Sequence, residues 1–211
     1  MRVAILVGAV SAALAMPAFA AGPSADENAQ AREIYQTIVE METSVEGGKV
    51  PEMAAYLAKR FRDGGFASDD VHLIPFDKTA ALIVRYRGDG SGGKPILLLA
   101  HMDVVPAHRE DWEREPFKLI EEKGYFFGRG TEDNKSGVAM LAATFLTLKA
   151  EGFKPTRDLV IVLSGDEETS GSTTQKLLAE HRDLVDAEYA LNSDAGGGQL
   201  SETGEIGRAH V

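Results

Sequence analysis

The side chains of this sequence that could do chemistry begin in the stretch from Ile96 to Pro106. Four apolar residues lead into Ala100, and His101 and Asp103 follow. Side chains two positions apart on an extended chain point to the same side, so His101 and Asp103 can serve one site. An imidazole is a good ligand for a borderline metal ion, and a nearby carboxylate can orient it. Taken alone, the stretch is equally compatible with an ordinary strand end.

Three more acidic stretches lie downstream, each at the end of a predicted strand or at a strand-to-helix turn. Asp133 precedes a long predicted helix, whereas Glu167 and Glu168 follow a second apolar strand. Asp194 follows a third strand. Two like charges about 4 Å apart repel by roughly 4 kcal/mol at an effective dielectric constant near 20. A cluster of carboxylates with an imidazole therefore implies a divalent metal ion, and an acid beyond the ligands implies a general base.

Each acidic stretch also has a purely structural interpretation. Asp133 could be a helix N-cap, and Glu167 and Glu168 could be acids that complement a helix dipole. The occurrence of all of them at strand ends favours the metal site. Ordinary structural positions are expected for three other histidines: His72, His108 and His181.

Hydrophobic periodicity predicts helices that alternate with strands. The helices are expected at 26–42, 51–62, 136–150 and 172–181. The strands are expected at 70–76, 80–86, 96–100, 159–163 and 189–192, with an irregular loop at 107–127. The strand at 96–100 reads as buried on both faces. This alternation indicates an α/β fold, a three-layer sandwich around a mixed, mostly parallel sheet, in which ligands gather at the carboxyl ends of the strands.

The first twenty residues have the pattern of a secretory signal peptide. Arg2 is followed by an apolar run at 3–16 and by Ala18-Phe19-Ala20, a small-x-small cleavage site. We therefore expect an exported protein, periplasmic or secreted, with no other membrane segment. The chain has no cysteine, which excludes disulfides. Its net charge of −11 argues against a nucleic acid or an anionic membrane surface as partner.

Together the motifs resemble those of the di-zinc amidohydrolases, the family of glutamate carboxypeptidase, acetylornithine deacetylase, succinyl-diaminopimelate desuccinylase and aminoacylase. The matching segments are 101–106, 128–130 with Asp133 and Lys135, 166–168 with Gly171, and Asp194 before its glycines. The resemblance implies a zinc-exopeptidase-like catalytic domain with two divalent metal ions, zinc being expected and cobalt or manganese being alternatives. It also implies hydrolysis of a small peptide or N-acyl amino acid substrate.

The resemblance implies a role for each candidate residue. The implied metal ligands are His101, Asp133 as the bridge, Glu168 and Asp194, and the implied catalytic residues are Glu167 as general base and Asp103 as the carboxylate supporting His101. A cis peptide bond between Asp133 and Asn134 is also implied. The chain departs from the usual pattern at Asp194, where Glu is commoner, and at Asn134 and Ser136, where Met and Gly are more usual.

Family members are longer, and the resemblance implies a lid and dimerisation domain and a further histidine ligand that this sequence lacks. We expect residues 21–205 to be the N-terminal segment of the catalytic domain. The last six residues, 206–211, read as a non-native tail derived from a sequencing adapter, so that His210 is not the missing ligand. The fragment by itself is expected to be inactive and to bind at most one zinc ion tightly. A homodimer formed through the lid is one state open to the full-length protein.

Two other functions are compatible with the same residues. One is a zinc aminopeptidase of the related clan, which shares the fold and a similar order of ligands. The segments 101–106 and 128–130 favour the carboxypeptidase or deacylase type instead. The other is a metal-binding module without catalytic turnover.

Overall fold

The computed structural model describes residues 22–194, 198–200 and 206–208. The predicted signal peptide, His210 and much of the predicted tail lie outside these residues. Within the described part, every helix is too short or too polar to span a bilayer.

The helices and strands alternate as the periodicity predicts. The helices are α1 (Ala25–Val39), α2 (Val50–Asp63), α3 (Lys135–Ala150), α4 (Ser172–Glu180) and α5 (Arg182–Val185). The strands are β1 (Val71–Phe76), β2 (Thr79–Tyr86), β3 (Ile96–His101), β4 (Ile120–Glu122), β5 (Tyr125–Phe127), β6 (Leu159–Ser164), β7 (Tyr189–Asn192), β8 (Gly198–Leu200) and β9 (Ile206–Arg208). The ends of the predicted elements agree with the structure to within three residues, and those of β7 are unchanged.

The segment 107–127 is not wholly irregular, because it contains the hairpin of β4 and β5. The turn of this hairpin is Lys123-Gly124, and both residues have positive φ, +51° and +81°. Turns with positive φ favour glycine, so Gly124 was the sequence signal available for this turn. Strands of three residues are too short to show a period of two, which is why the sequence pattern missed them.

The main sheet has five strands in the order β1-β2-β6-β3-β7. The pairings of β1 with β2 and of β2 with β6 are antiparallel, and those of β3 with β6 and β7 are parallel. The mixed sheet is thus confirmed, with as many antiparallel as parallel pairings. In the parallel register His101 lies opposite Ser164, and Leu99 lies opposite Asn192. The carboxyl ends of these three strands consequently share one edge.

Helices cover both faces of this sheet, which confirms the three-layer architecture. Helices α1, α2 and α3 pack on one face, and α4 and α5 pack on the other. Side chains of β2 alternate between the two cores, as expected for a period of two. Leu82 and Val84 contribute to the first core, whereas Ala81 and Ile83 contribute to the second.

Local signals explain where the first two helices begin and end. Ser24 and Glu27 form a capping box, in which the Ser24 side chain accepts a hydrogen bond from the Glu27 amide and the Glu27 carboxylate accepts one from the Ser24 amide. Pro51 occupies the first turn of α2, where its missing amide hydrogen costs nothing. Gly64 ends this helix, and Gly65 follows it with φ of +88°. These helices build the core under the edge that carries His101.

The prediction that β3 is buried on both faces is wrong for its first four residues. Residues 96–99 are only partly buried, whereas Ala100 and His101 are buried. The reason is that β7, the neighbour of β3 on one side, is exposed at all four positions. Burial is therefore greatest at the carboxyl end of β3, next to the candidate site.

We expect β2, inside the sheet, and β7, at one end of the strand order, to respond differently to loss of side-chain volume. Leu82→Ala in β2, a fully buried position, should reduce the free energy of unfolding by about 2–5 kcal/mol. The matched change Leu191→Ala in β7, where the leucine is 59% exposed, should change it by less than about 0.5 kcal/mol. Urea denaturation measures both. Equal losses would contradict the strand order and core described above.

Candidate metal centre

The predicted ligands come from the shared edge of the sheet. His101 is the last residue of β3, and the loop that carries Glu167 and Glu168 begins directly after β6. Asp194 follows β7 by two residues. Asp133 comes from the turn before α3. Parallel strands thus deliver three of the four segments to one place, and the turn before α3 supplies the fourth.

His101 lies at the centre of this arrangement and is 2% exposed. Its Nε2 atom is 2.9 Å from Oδ1 of Asp133 and 3.6 Å from Oδ2 of Asp194. One ligand atom from each of these three residues lies within 4.8 Å of the other two. Two zinc ligands at about 2.1 Å from the ion in tetrahedral geometry are about 3.4 Å apart. One imidazole and two carboxylates at these separations fit a divalent cation.

Glu168 is not a member of this group of three. The charge of Asp133 nevertheless helps to raise the pKa of the half-buried carboxylate of Glu168. The bridging role implied for Asp133 stays a prediction. In the described part of the chain, the first position has three candidate ligands and the second has Asp133 and Glu168.

Asp103 connects His101 to the loop after β6. Its backbone carbonyl accepts a hydrogen bond from Nδ1 of His101 at 3.0 Å, which leaves Nε2 as the ring nitrogen that faces the carboxylates. Its buried carboxylate accepts from the amide of Glu167 at 3.1 Å and from the amide of Glu168 at 3.0 Å. The sequence predicted that Asp103 would support the imidazole. The structure adds that it also fixes the backbone of the next two acids.

The pKa values in the centre show how crowded its charges are. Burial would lower the pKa of His101, but the hydrogen bond and charge of Asp103, with Asp194 and Asp133, raise it to about 9. Burial raises the pKa of Glu168, and the charge of Asp133 raises it further. Neighbouring negative charge contributes to both shifts, after burial in the case of Glu168. A divalent cation is the species that would neutralise it.

Glu167 has the exposure that a general base needs. Its side chain is 52% exposed, and Oε2 is 3.9 Å from Nε2 of His101. The carboxylate can therefore reach both the candidate ligands and a substrate that approaches from solvent. Its backbone is held by Asp103, so that its position does not depend on the side chain alone.

The two structural interpretations of the acidic stretches are wrong. The N-cap of α3 is Asn134 and not Asp133, and its side chain makes no capping hydrogen bond. Helix α4 begins at Ser172, so Glu167 and Glu168 precede it and no acid lies in its first turn. The cis peptide bond between Asp133 and Asn134 is confirmed. Asp133 is thus not a helix N-cap, and Glu167 and Glu168 do not lie in the first turn of a helix.

The residue that does hold the start of α4 is Asp166, for which the sequence analysis predicts no role. Its carboxylate accepts hydrogen bonds from the side chains of Ser170 and Ser172 at 2.6 and 2.7 Å and from the amide of Thr173 at 3.0 Å. Burial would raise its pKa, but hydrogen bonds from Ser170, Thr173 and Ser172 lower it to about 2. Asp166 therefore fixes the far end of the loop that carries Glu167 and Glu168.

Lys135 anchors the other acidic turn. Its side chain is fully buried, and Nζ donates to the backbone carbonyls of Met41 at 2.6 Å and Val39 at 3.4 Å. Burial lowers its pKa to about 7, although the charge of Glu42 acts in the opposite direction. The start of α3 is thereby tied to the segment that follows α1. The motif around Asp133 included Lys135, but nothing in the sequence indicated its burial.

A cavity of about 630 Å³ lies beside the centre. Asp103 and Val104 form part of its wall next to the metal ligands, and Thr169 and Ser170 continue the wall along the loop after Glu168. The turn between β1 and β2 also contributes to its lining. The cavity is therefore continuous with the loop that carries the candidate base.

Comparison with known proteins agrees with these residues. Residues 97–207 match the model of peptidase family M20/M25/M40, which covers more than half of the chain. The chain belongs to this family. The predicted relationship to the di-zinc amidohydrolases is thereby confirmed.

Several curated M20-type proteins are similar to the chain over part of their length. The human N-fatty-acyl-amino acid synthase/hydrolase PM20D1 is 41% identical over 93 residues, which are 44% of this chain and 18% of that protein. The succinyl-diaminopimelate desuccinylase of Methylocella silvestris is 34% identical over 125 residues, 58% of this chain and 32% of the enzyme. The chain thus spans about a fifth to a third of the length of these relatives.

Solved structures of M20 enzymes share the fold. The M20 family metallo-carboxypeptidase Sso-CP2 from Sulfolobus solfataricus has a TM-score of 0.68 at 19% identity, over 83% of this chain and 39% of that one. The di-peptidase Dug1p from Saccharomyces cerevisiae has a TM-score of 0.68 at 22% identity, over 80% of this chain and 39% of the other. These likenesses confirm the three-layer α/β architecture of the catalytic domain.

We expect Asp103→Ala to weaken metal binding although Asp103 contributes no ligand in our assignment. The change leaves the amides of Glu167 and Glu168 without their acceptor and removes the carboxylate oxygen that lies 3.4 Å from Nδ1 of His101, whereas the backbone carbonyl stays in place. The dissociation constant for zinc should rise about 10- to 100-fold, as measured by competition with a chromophoric chelator. Asp111→Ala, the same change on an exposed loop, is the control and should leave it unaltered. Unchanged affinity in Asp103→Ala would remove this residue from the centre.

Proposed function

We propose that the full-length protein is a metal-dependent hydrolase of peptide or N-acyl amino acid amide bonds. The observation that carries this proposal is the group of His101, Asp133 and Asp194, whose ligand atoms lie within 4.8 Å of one another, with Glu167 beside it. Membership of the M20 family supports the same chemistry. The names of relatives, such as a beta-Ala-Xaa dipeptidase and a succinyl-diaminopimelate desuccinylase, indicate amide substrates for those proteins.

The group of His101, Asp133 and Asp194 supports the proposed ligands of the first cation, and the family resemblance supports Glu168 for the second. His101, Asp133 and Asp194 would hold one divalent cation, and Asp133 and Glu168 would contribute to a second. Mixed imidazole and carboxylate sites accept zinc, cobalt or manganese, and zinc is the ion we propose. A bound cation of this kind lowers the pKa of water at the site and polarises the carbonyl of the amide.

The chain's own residues supply the proton transfers and the positioning. Glu167 takes a proton from the attacking water as the new carbon–oxygen bond forms. It then gives this proton to the nitrogen of the leaving amine as the carbon–nitrogen bond breaks, so that the carboxylate is regenerated. Asp103 keeps Glu167 in place through its amide and keeps Nε2 of His101 directed at the site.

Export is also part of this proposal. The apolar run at 3–16 and the cleavage site at Ala18-Phe19-Ala20 support a periplasmic or secreted enzyme. The substrate would then be a small peptide or N-acyl amino acid outside the cytoplasm.

Glu167→Gln in the full-length protein should separate catalysis from metal binding. We expect kcat to fall about 100- to 10,000-fold because the base is lost, whereas zinc content should stay at the wild-type level. Glu151→Gln, at the distal end of α3, is the matched control and should keep full activity. Removal of metal with a chelator should abolish activity in wild type, and zinc should restore it. A protein that binds zinc but hydrolyses nothing in wild type would instead be a binding module.

Substrate preference should distinguish a carboxypeptidase or deacylase from an aminopeptidase. N-acyl amino acids and N-blocked dipeptides are expected to be cleaved in preference to peptides with a free amino terminus, as measured by release of the amino acid. The opposite preference would identify the protein as an aminopeptidase.

A further inference from the structure

Asn134 is a buried amide between two acids of the metal centre, and the function proposed so far gives it no role. It is 2% exposed and immediately follows Asp133 in the chain. Its Nδ2 donates to Oδ1 of Asp194 at 2.9 Å. Its Oδ1 accepts from the hydroxyl of Ser193 at 3.3 Å.

The orientation of this amide follows from its partners. A carboxylate only accepts hydrogen bonds, so the NH₂ group must face Asp194. The hydroxyl of Ser193 has one hydrogen to donate. Two acceptors share it, Oδ1 of Asn134 at 3.3 Å and the backbone carbonyl of Leu99 at 3.0 Å. Asn134 is the N-cap of α3 by position, but it does not cap the helix with its side chain. A capping role therefore does not explain why an amide is buried at this position.

The absence of a side chain at Gly137 leaves room for the side chains of Asn134 and Ser193. A Cβ atom at Gly137, one turn along α3, would collide with Oδ1 of Asn134 and Oγ of Ser193. Glycine at the third helical position thus lets the end of β7 approach the start of α3. The approach brings Asp194 within reach of the Asn134 amide.

The two oxygens of Asp194 have different partners. Oδ1 accepts from Asn134, and Oδ2 is 3.6 Å from Nε2 of His101. With one oxygen occupied, the carboxylate cannot rotate freely, and its second oxygen stays directed at His101 and Asp133. A short aspartate side chain has few rotamers, and the hydrogen bond selects one of them.

We infer that Asn134 is a positioning residue of the metal centre, which holds Asp194 in the orientation that binds the first cation. This inference rests on the proposed metal site and extends it. Asn134 connects the two acids of that site, because its backbone continues from Asp133 and its side chain holds Asp194. Outer hydrogen bonds of this kind orient metal ligands, and their loss commonly costs about 10- to 100-fold in metal affinity.

A double-mutant cycle on zinc affinity tests the inference without any assay of hydrolysis. In the full-length protein, Asn134→Leu keeps the shape of the side chain and removes the amide. We expect the dissociation constant of the more tightly bound zinc ion to rise about 10- to 100-fold. In the Asp194→Ala background the same change should alter the dissociation constant by less than about 3-fold, because the ligand through which Asn134 acts is gone.

The control is Asn28→Leu, the same substitution at an exposed position in α1, which should leave zinc affinity unchanged. If Asn134→Leu does not fold, as judged by its melting temperature without metal, Asn134→Ser removes the same donor and carries the same expectation. An equal loss of affinity in both backgrounds, or no loss in either, would overturn the inference. Failure of the wild type to bind zinc would instead overturn the proposed function itself.

Discussion

The buried carboxylate of Asp103 is the interaction on which the rest of the centre depends. Its two oxygens accept the amides of Glu167 and Glu168, and its own carbonyl accepts from the imidazole of His101. A buried carboxylate is tolerated only when its charge is met by donors, and here two backbone amides provide them. One residue thereby joins the ends of β3 and β6 and sets the positions of a candidate ligand and the candidate base. The parallel register of these strands makes that connection possible.

Several strands end together at this edge, and the acidic residues that follow them concentrate negative charge there. The charge of neighbouring carboxylates acts to raise the pKa of both Glu168 and His101. Asp133 remains 64% exposed, and solvent therefore screens part of the repulsion. A divalent cation bound at this edge would offset the remaining repulsion.

The three consecutive acids after β6 show how environment separates their roles. Asp166 is buried, satisfied by hydroxyl and amide donors, and has a pKa of about 2. Glu167 is half exposed beside His101, as a base requires. Glu168 is half-buried, and this burial, together with the charge of neighbouring carboxylates, raises its pKa. The first acid holds the loop to α4, so that the other two can face the site.

The sequence by itself determined the order and type of the main helices and strands, the family and the set of candidate ligands. Apolar periodicity reports the buried face of one element, and motif residues lie close together in the chain, so both can be read locally. Only the tertiary structure decided that Asp103 holds the loop after β6, that Asp166 holds the start of α4, and that β3 is partly exposed beside β7. The contact between Asn134 and Asp194 joins residues 60 positions apart. Such contacts depend on strand order and register, which arise from packing of the whole sheet and leave no periodic trace in the sequence.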